Sequence, residues 1–80
     1  NSYFGRNAGY SNAEGNYNTI IGYESNAANQ SGSFNSCFGT QSGKWNYSSG
    51  SSNSLFGYQA GYGTAVATNT YNYNSYFGTQ

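Results

Sequence analysis

Residues 18–34 read "NTIIGYESNAANQSGSF", and residues 35–52 read "NSCFGTQSGKWNYSSGSS". Both open on Asn, a hydroxyl residue, two apolar residues and Gly, and then diverge. The phrase N-[ST]-x-[FI]-G occurs five times and ends at Gly5, Gly22, Gly39, Gly57 and Gly78, which are 17, 17, 18 and 21 residues apart. Self-similarity at such a period is the signature of stacked repeats, each one a structural unit that buries its apolar side against the next. The expectation is a single repeat array over residues 1–80, with coils starting near Asn1, Asn18, Asn35, Asn53 and Asn74. "NSYFG" stands at both ends, at Asn1 and Asn74, so the stretch reads as a window from a longer repetitive chain.

Alignment on the anchor glycine exposes further columns. Three residues on stand Ala8, Ser25, Ser42 and Ala60, all small; four on stand Gly9, Asn26, Gly43 and Gly61. Gly and Asn tolerate a left-handed backbone best, so the second of these columns is expected at a corner with positive φ. Gly15, Gly32 and Gly50 mark a second expected corner, and Tyr17, Phe34, Ser52 and Tyr73 precede the Asn of the next phrase. Two corners and two short extended pieces make one coil of a parallel β-solenoid, or β-roll, with coils of about 17 residues. Like residues then lie roughly 4.8 Å apart in successive coils. A helix is disfavoured by the Gly, Asn, Ser and β-branched content, and hairpins by the lack of Asn-Gly or Asp-Gly pairs.

Stacking accounts for what the phrase retains. The five asparagines can hydrogen-bond along the stack, as in cross-β assemblies, or serve as turn residues before a strand. Phe4, Ile21, Phe38, Phe56 and Phe77 form one apolar file; Tyr3, Ile20, Cys37, Leu55 and Tyr76 form a second on the opposite face. Alternation along the strand places Tyr17, Thr19, Ile21 and Tyr23 on a common side. A strand covered by one partner needs only one apolar face. One file is therefore expected to fill the coil, while the other meets a neighbouring chain or is merely exposed. The fourth unit carries about four extra residues, expected to bulge out as a loop, and "TAVAT" at Thr64 is expected to pack on a side of the stack.

Composition narrows the function. Leu, Ile, Val and Phe number only nine, so the core is small and an 80-residue unit is marginal alone. The one cysteine, Cys37, has no internal disulfide partner, and the absence of His leaves too few ligands for a structural zinc site. Copies of the same chain remain as the expected source of stability. Net charge is zero, with Arg6 and Lys44 isolated, so there is no basic footprint for nucleic acid. No apolar run approaches the ~20 residues of a membrane-spanning helix.

"NSLFGYQAGY" at Asn53 and "NSYFGRNAGY" at Asn1 resemble bacterial and phage surface-fibre repeats of the type N-T-F-I-G-Y-Q-A-G-Y. "NTIIGYESNA" and "NSCFGTQSGK" are looser versions, so the resemblance covers essentially the whole chain. These repeats are similar to the head repeats of trimeric autotransporter adhesins, which are left-handed parallel β-rolls with three chains around an axis. The resemblance implies a trimer-like, non-enzymatic fibre segment at the outside of a cell or virion.

Chemistry-bearing residues are few. Glu14 and Glu24 sit at different repeat positions, so stacking does not oppose them as a catalytic carboxylate pair. Without His the serines lack their usual base, and Cys37 reads as a small buried hydrophobe. No cofactor is expected. Trp45 with Tyr47 can stack on a sugar. The acceptor sequences "NQS" at Asn29 and "NYS" at Asn46 both lie seven residues after an anchor glycine, which would carry glycans along one edge. Three functions fit: a fibre or filament segment, a head that binds carbohydrate or a cell-surface receptor, and a functional-amyloid assembly, which the Gly, Tyr, Asn and Gln content allows but the strict Gly registration disfavours.

Overall fold

The computed structural model describes residues 1–45, 51–63 and 75–79. It contains five three-residue strands: β1 (Ser2–Phe4), β2 (Thr19–Ile21), β3 (Ser36–Phe38), β4 (Ser54–Phe56) and β5 (Ser75–Phe77). They form one parallel sheet in chain order. The register joins like to like: Ile20 pairs Tyr3 and Cys37, and Leu55 pairs Cys37 and Tyr76. The protein is therefore an all-β parallel β-solenoid with one strand of the repeat phrase per coil. Residues 46–50 and 64–74, which include Asn46, Tyr47, Gly50, "TAVAT", Tyr73 and Asn74, lie outside the described residues.

The strands are short because both ends are fixed by backbone that leaves the β region. Gly22 closes β2 with φ +133°, a conformation reserved for glycine, and a Cβ there would come within 2.5 Å of the Gly39 carbonyl oxygen. Its N–H instead donates to the Phe4 carbonyl of the preceding coil at 2.8 Å. On the other side, Tyr17, Phe34 and Ser52 adopt φ near +60° just before the Asn. A left-handed aromatic residue is costly, by about 1–2 kcal/mol. Tyr17 and Phe34 offset this by stacking on each other at 5.1 Å and 11°.

These positions refine the expected corners. The column of Gly9, Asn26, Gly43 and Gly61 is left-handed throughout, with φ between 50° and 62°. Two residues before it, Asn7, Glu24, Gln41 and Gln59 are left-handed as well, a corner the sequence did not suggest. Gly15 and Gly32, by contrast, are absent from the positive-φ residues. Gly15 is needed for close approach: a Cβ would collide with the Gly32 carbonyl oxygen one coil on. The left-handed residues near this second corner are Tyr17 and Phe34, two residues further on. Simple alternation accordingly holds only inside β2; Tyr17 and Tyr23 are exposed like Thr19 and Ile21, but from outside the pleat.

The interior is narrow and half polar. Among the described residues, Ala8, Ile20, Cys37, Leu55 and Ala60 make up its apolar part; Asn18, Ser25, Asn26, Asn29, Asn35, Ser42 and Asn53 are buried beside them. Burial of a full Ile or Leu side chain stabilises by about 1.5–3 kcal/mol. Buried polar groups subtract from that unless they are hydrogen-bonded. Ser25 and Ser42 meet the condition by donating their hydroxyls to the carbonyls of Ser42 (3.2 Å) and Leu55 (3.1 Å).

Candidate functional site: the files of the stack

The anchor asparagines form a hydrogen-bonded ladder. Asn18 N–H donates to Asn1 Oδ1 at 2.8 Å. Asn18 Oδ1 accepts from both the Asn35 backbone N–H (2.9 Å) and Asn35 Nδ2 (3.0 Å). Asn35 Oδ1 does the same for Asn53, at 3.1 and 2.9 Å. The lower members also reach sideways, Asn1 Nδ2 to the Gly15 carbonyl at 2.7 Å and Asn18 Nδ2 to the Gly32 carbonyl at 2.9 Å. The Asn1 and Asn18 amides thus tie their strands both to the next coil and to the closing turn of their own coil. Both sequence readings of the column, ladder and strand-start residue, describe one geometry.

The two apolar files separate in the middle coils, while Tyr3 and Tyr76 at the ends of the inner file stay 39% and 44% exposed. Ile20, Cys37 and Leu55 have no exposed surface, whereas Phe4 is 76% and Phe77 75% exposed. Ile21 is also exposed, and Phe38 and Phe56 are half-buried. The outer rings stack directly, Phe38 on Phe56 at 4.8 Å and 7°, Phe56 on Phe77 at 5.0 Å and 3°. The spacing is that of the parallel strands beneath them. A stacked aromatic pair contributes about 0.5–1.5 kcal/mol beyond its area. The inner file fills the coil; the Phe file lies outside, with the stacked Tyr17–Phe34 pair exposed as well.

A third ladder was missed in the sequence. In the left-handed column, Gln41 Nε2 donates to Glu24 Oε1 at 3.0 Å and Gln59 Nε2 to Gln41 Oε1 at 2.9 Å. Glu24 Oε1 also accepts from Lys44 Nζ at 2.8 Å. The bonds from Lys44 and then Gln41 hold the Glu24 carboxyl below its ordinary pKa, and the bond to Glu24 raises that of Lys44. Lys44 is therefore not isolated, and its Nζ lies 4.8 Å from the Trp45 ring centre. Nor is Arg6, whose guanidinium sits 5.8 Å from the ring centre of Tyr23. The signal was legible: Asn7, Glu24, Gln41 and Gln59 all stand two residues after the anchor glycine.

Other sequence candidates take structural places. Asn29 is fully buried, and its Oδ1 accepts from the Gly32 N–H, three residues on, at 2.6 Å. A glycan on its Nδ2 would need an amide at the surface, so this geometry opposes modification there. Burial pushes the Cys37 thiol up to about 12, so it stays protonated and unreactive at neutral pH. Among the described residues, no three His, Cys, Asp or Glu side chains converge as a metal site, and no helix is long and apolar enough to cross a membrane.

These features define a parallel β-solenoid repeat module with short coils, in keeping with repeat-fibre folds in general. A scan against protein-family models, a search of curated proteins and a search of solved structures each give no match.

Proposed function

We propose that the chain is a non-enzymatic structural segment of an extracellular or virion-surface fibre or filament, in which copies pack side by side through the Phe file. The observation that carries this reading is the outer file itself. The coil's interior is already filled by Ile20, Cys37 and Leu55, yet Phe38, Phe56 and Phe77 are aligned and stacked on the outside. Contiguous exposed apolar surface of this kind marks an interaction site. The resemblance to surface-fibre and adhesin-head repeats supports the outer location and a three-chain arrangement.

Sedimentation across a dilution series, with electron micrographs of the same samples, tests the proposal. Oligomers or narrow rods are expected, dispersed by the double variant Phe38→Ser/Phe56→Ser with retention of the β circular-dichroism signal. A chain that stays monomeric and folded at every concentration would sink it.

A further inference from the structure

The stack holds equivalent side chains about 4.8 Å apart, one per coil. Small residues in one coil between large residues in its neighbours therefore leave a slot one coil wide. Ala27 and Ala28 make such a slot: the equivalent pairs are Tyr10 and Ser11 in the preceding coil, Lys44 and Trp45 in the following one. An open groove of about 310 Å³ results, lined by Ala27 and Ala28 between Tyr10 and Trp45. Its walls come from coils two steps apart, a backbone separation of roughly 9–10 Å, which leaves room for one ring between them. Tyr10 is 75% exposed, and Trp45 is braced by the Tyr62 ring at 6.4 Å and 88°.

The rim selects among ring-shaped ligands. Glu24 and Lys44 neutralise each other at 2.8 Å, and Gln30 adds an uncharged amide. An anion or a cation would have to compete with that ion pair. A purely aromatic ligand would use the walls but leave the rim's donors and acceptors without partners, at a desolvation cost. A hydroxyl-bearing saturated ring satisfies both parts, with its C–H face against the exposed Tyr10 ring and its hydroxyls toward the rim, where Lys44 Nζ lies 4.8 Å from the Trp45 ring centre. We propose that this groove binds a single neutral pyranose unit of a glycan. It shares no residue with the outer Phe file, so it stands apart from lateral packing. The volume is at the low end for small-molecule sites.

Trp45 is the one tryptophan of the chain, so its fluorescence reports directly on the groove. The full chain is titrated separately with D-glucose, D-galactose, D-mannose and N-acetylglucosamine, up to about 100 mM, the weak end of measurable affinity. At least one is expected to give a saturable change. Ala27→Tyr fills the slot with the residue its column carries at Tyr10 and Tyr62, and is expected to weaken binding at least tenfold. Tyr10→Ala removes a wall at an exposed position and is expected to do the same; it decides the matter if Ala27→Tyr does not fold. The proposal is overturned by no saturable response to any of the four sugars, or by unchanged affinity in the folded variants. Tighter binding of D-glucuronate or N-acetyltyrosinamide than of every neutral sugar overturns it too, by making the groove an anion site or an aromatic-peptide site.

Discussion

Leu55 and Phe56 are neighbours in the chain and belong to two files of similar apolarity, yet they live in different environments. Leu55 is sealed between Cys37 and Tyr76 inside the coil, whereas Phe56 lies half-buried on the outside, sandwiched between Phe38 and Phe77. The inner file is coupled to the whole cross-section, because it meets the strand, the corners and the buried polar ladders together. A Cβ placed on Gly61, for example, would strike the Leu55 side chain at 2.9 Å. The outer file touches mainly itself. In a solenoid, then, the same residue class holds a coil together on one face of a three-residue strand and is left for association on the other.

The largest separation between the files is expected from truncating these neighbours. Leu55→Ala should cost about 2–5 kcal/mol, the usual range for a buried Leu. Phe56→Ala should cost the isolated chain about 1–3 kcal/mol, for two stacked pairs and partial burial, while weakening self-association. Denaturant midpoints, read beside sedimentation at one fixed concentration, check both; equal losses of stability would erase the distinction.

A somewhat smaller effect is expected from Asn35→Ala, which leaves the backbone N–H and Nδ2 of buried Asn53 without their shared acceptor. Each abandoned buried donor costs about 1–3 kcal/mol, so a total near 2–4 kcal/mol is expected by chemical denaturation. A value near zero would mean that the polar ladder merely accompanies the inner file. Asn26 supplies the reverse case. Its buried Oδ1 and Nδ2 have no partner among the described residues, and it occupies a left-handed column otherwise made of glycine. Asn26→Gly should therefore stabilise the protein, by about 1 kcal/mol, since it removes an unsatisfied amide and left-handed strain together. A fall in the thermal midpoint would contradict this account.

The smallest effect belongs to the surface ladder. The Glu24 carboxyl is held below its ordinary pKa first by Lys44 and then by Gln41. A group with a depressed folded value contributes stability that is present above the unfolded value and is lost as pH falls through the folded one. The melting midpoint should thus decline slightly on acidification across and below the ordinary carboxylate range, and Glu24→Gln should remove that part of the decline. Identical pH profiles for the two proteins would show that the pair adds nothing to stability.

Much of the fold was legible because stacking converts a one-dimensional period into a three-dimensional register. The glycine spacings alone pair Ser2 with Thr19 and Ser36 with Ser54. The polar interior was less legible. Ser25 and Ser42 could be recognised as small, but their bonds to carbonyls depend on which way the corners turn. The groove at Ala27 and Ala28 was hidden for a related reason: it consists of what neighbouring coils have and this one lacks.

The sequence by itself determined the repeat, its period, the absence of helix among the described residues and the identity of the files, because all of these are carried by residue type and spacing. Only the tertiary structure decided that Ile20, Cys37 and Leu55 face inward while Phe38 and Phe56 face out. It also decided that the second turn is left-handed at Tyr17 and Phe34, with Gly15 serving close approach instead. The physical reason is that a three-residue strand with an apolar residue on each face has no preferred side of its own. The corners choose it, and their geometry depends on the coils above and below.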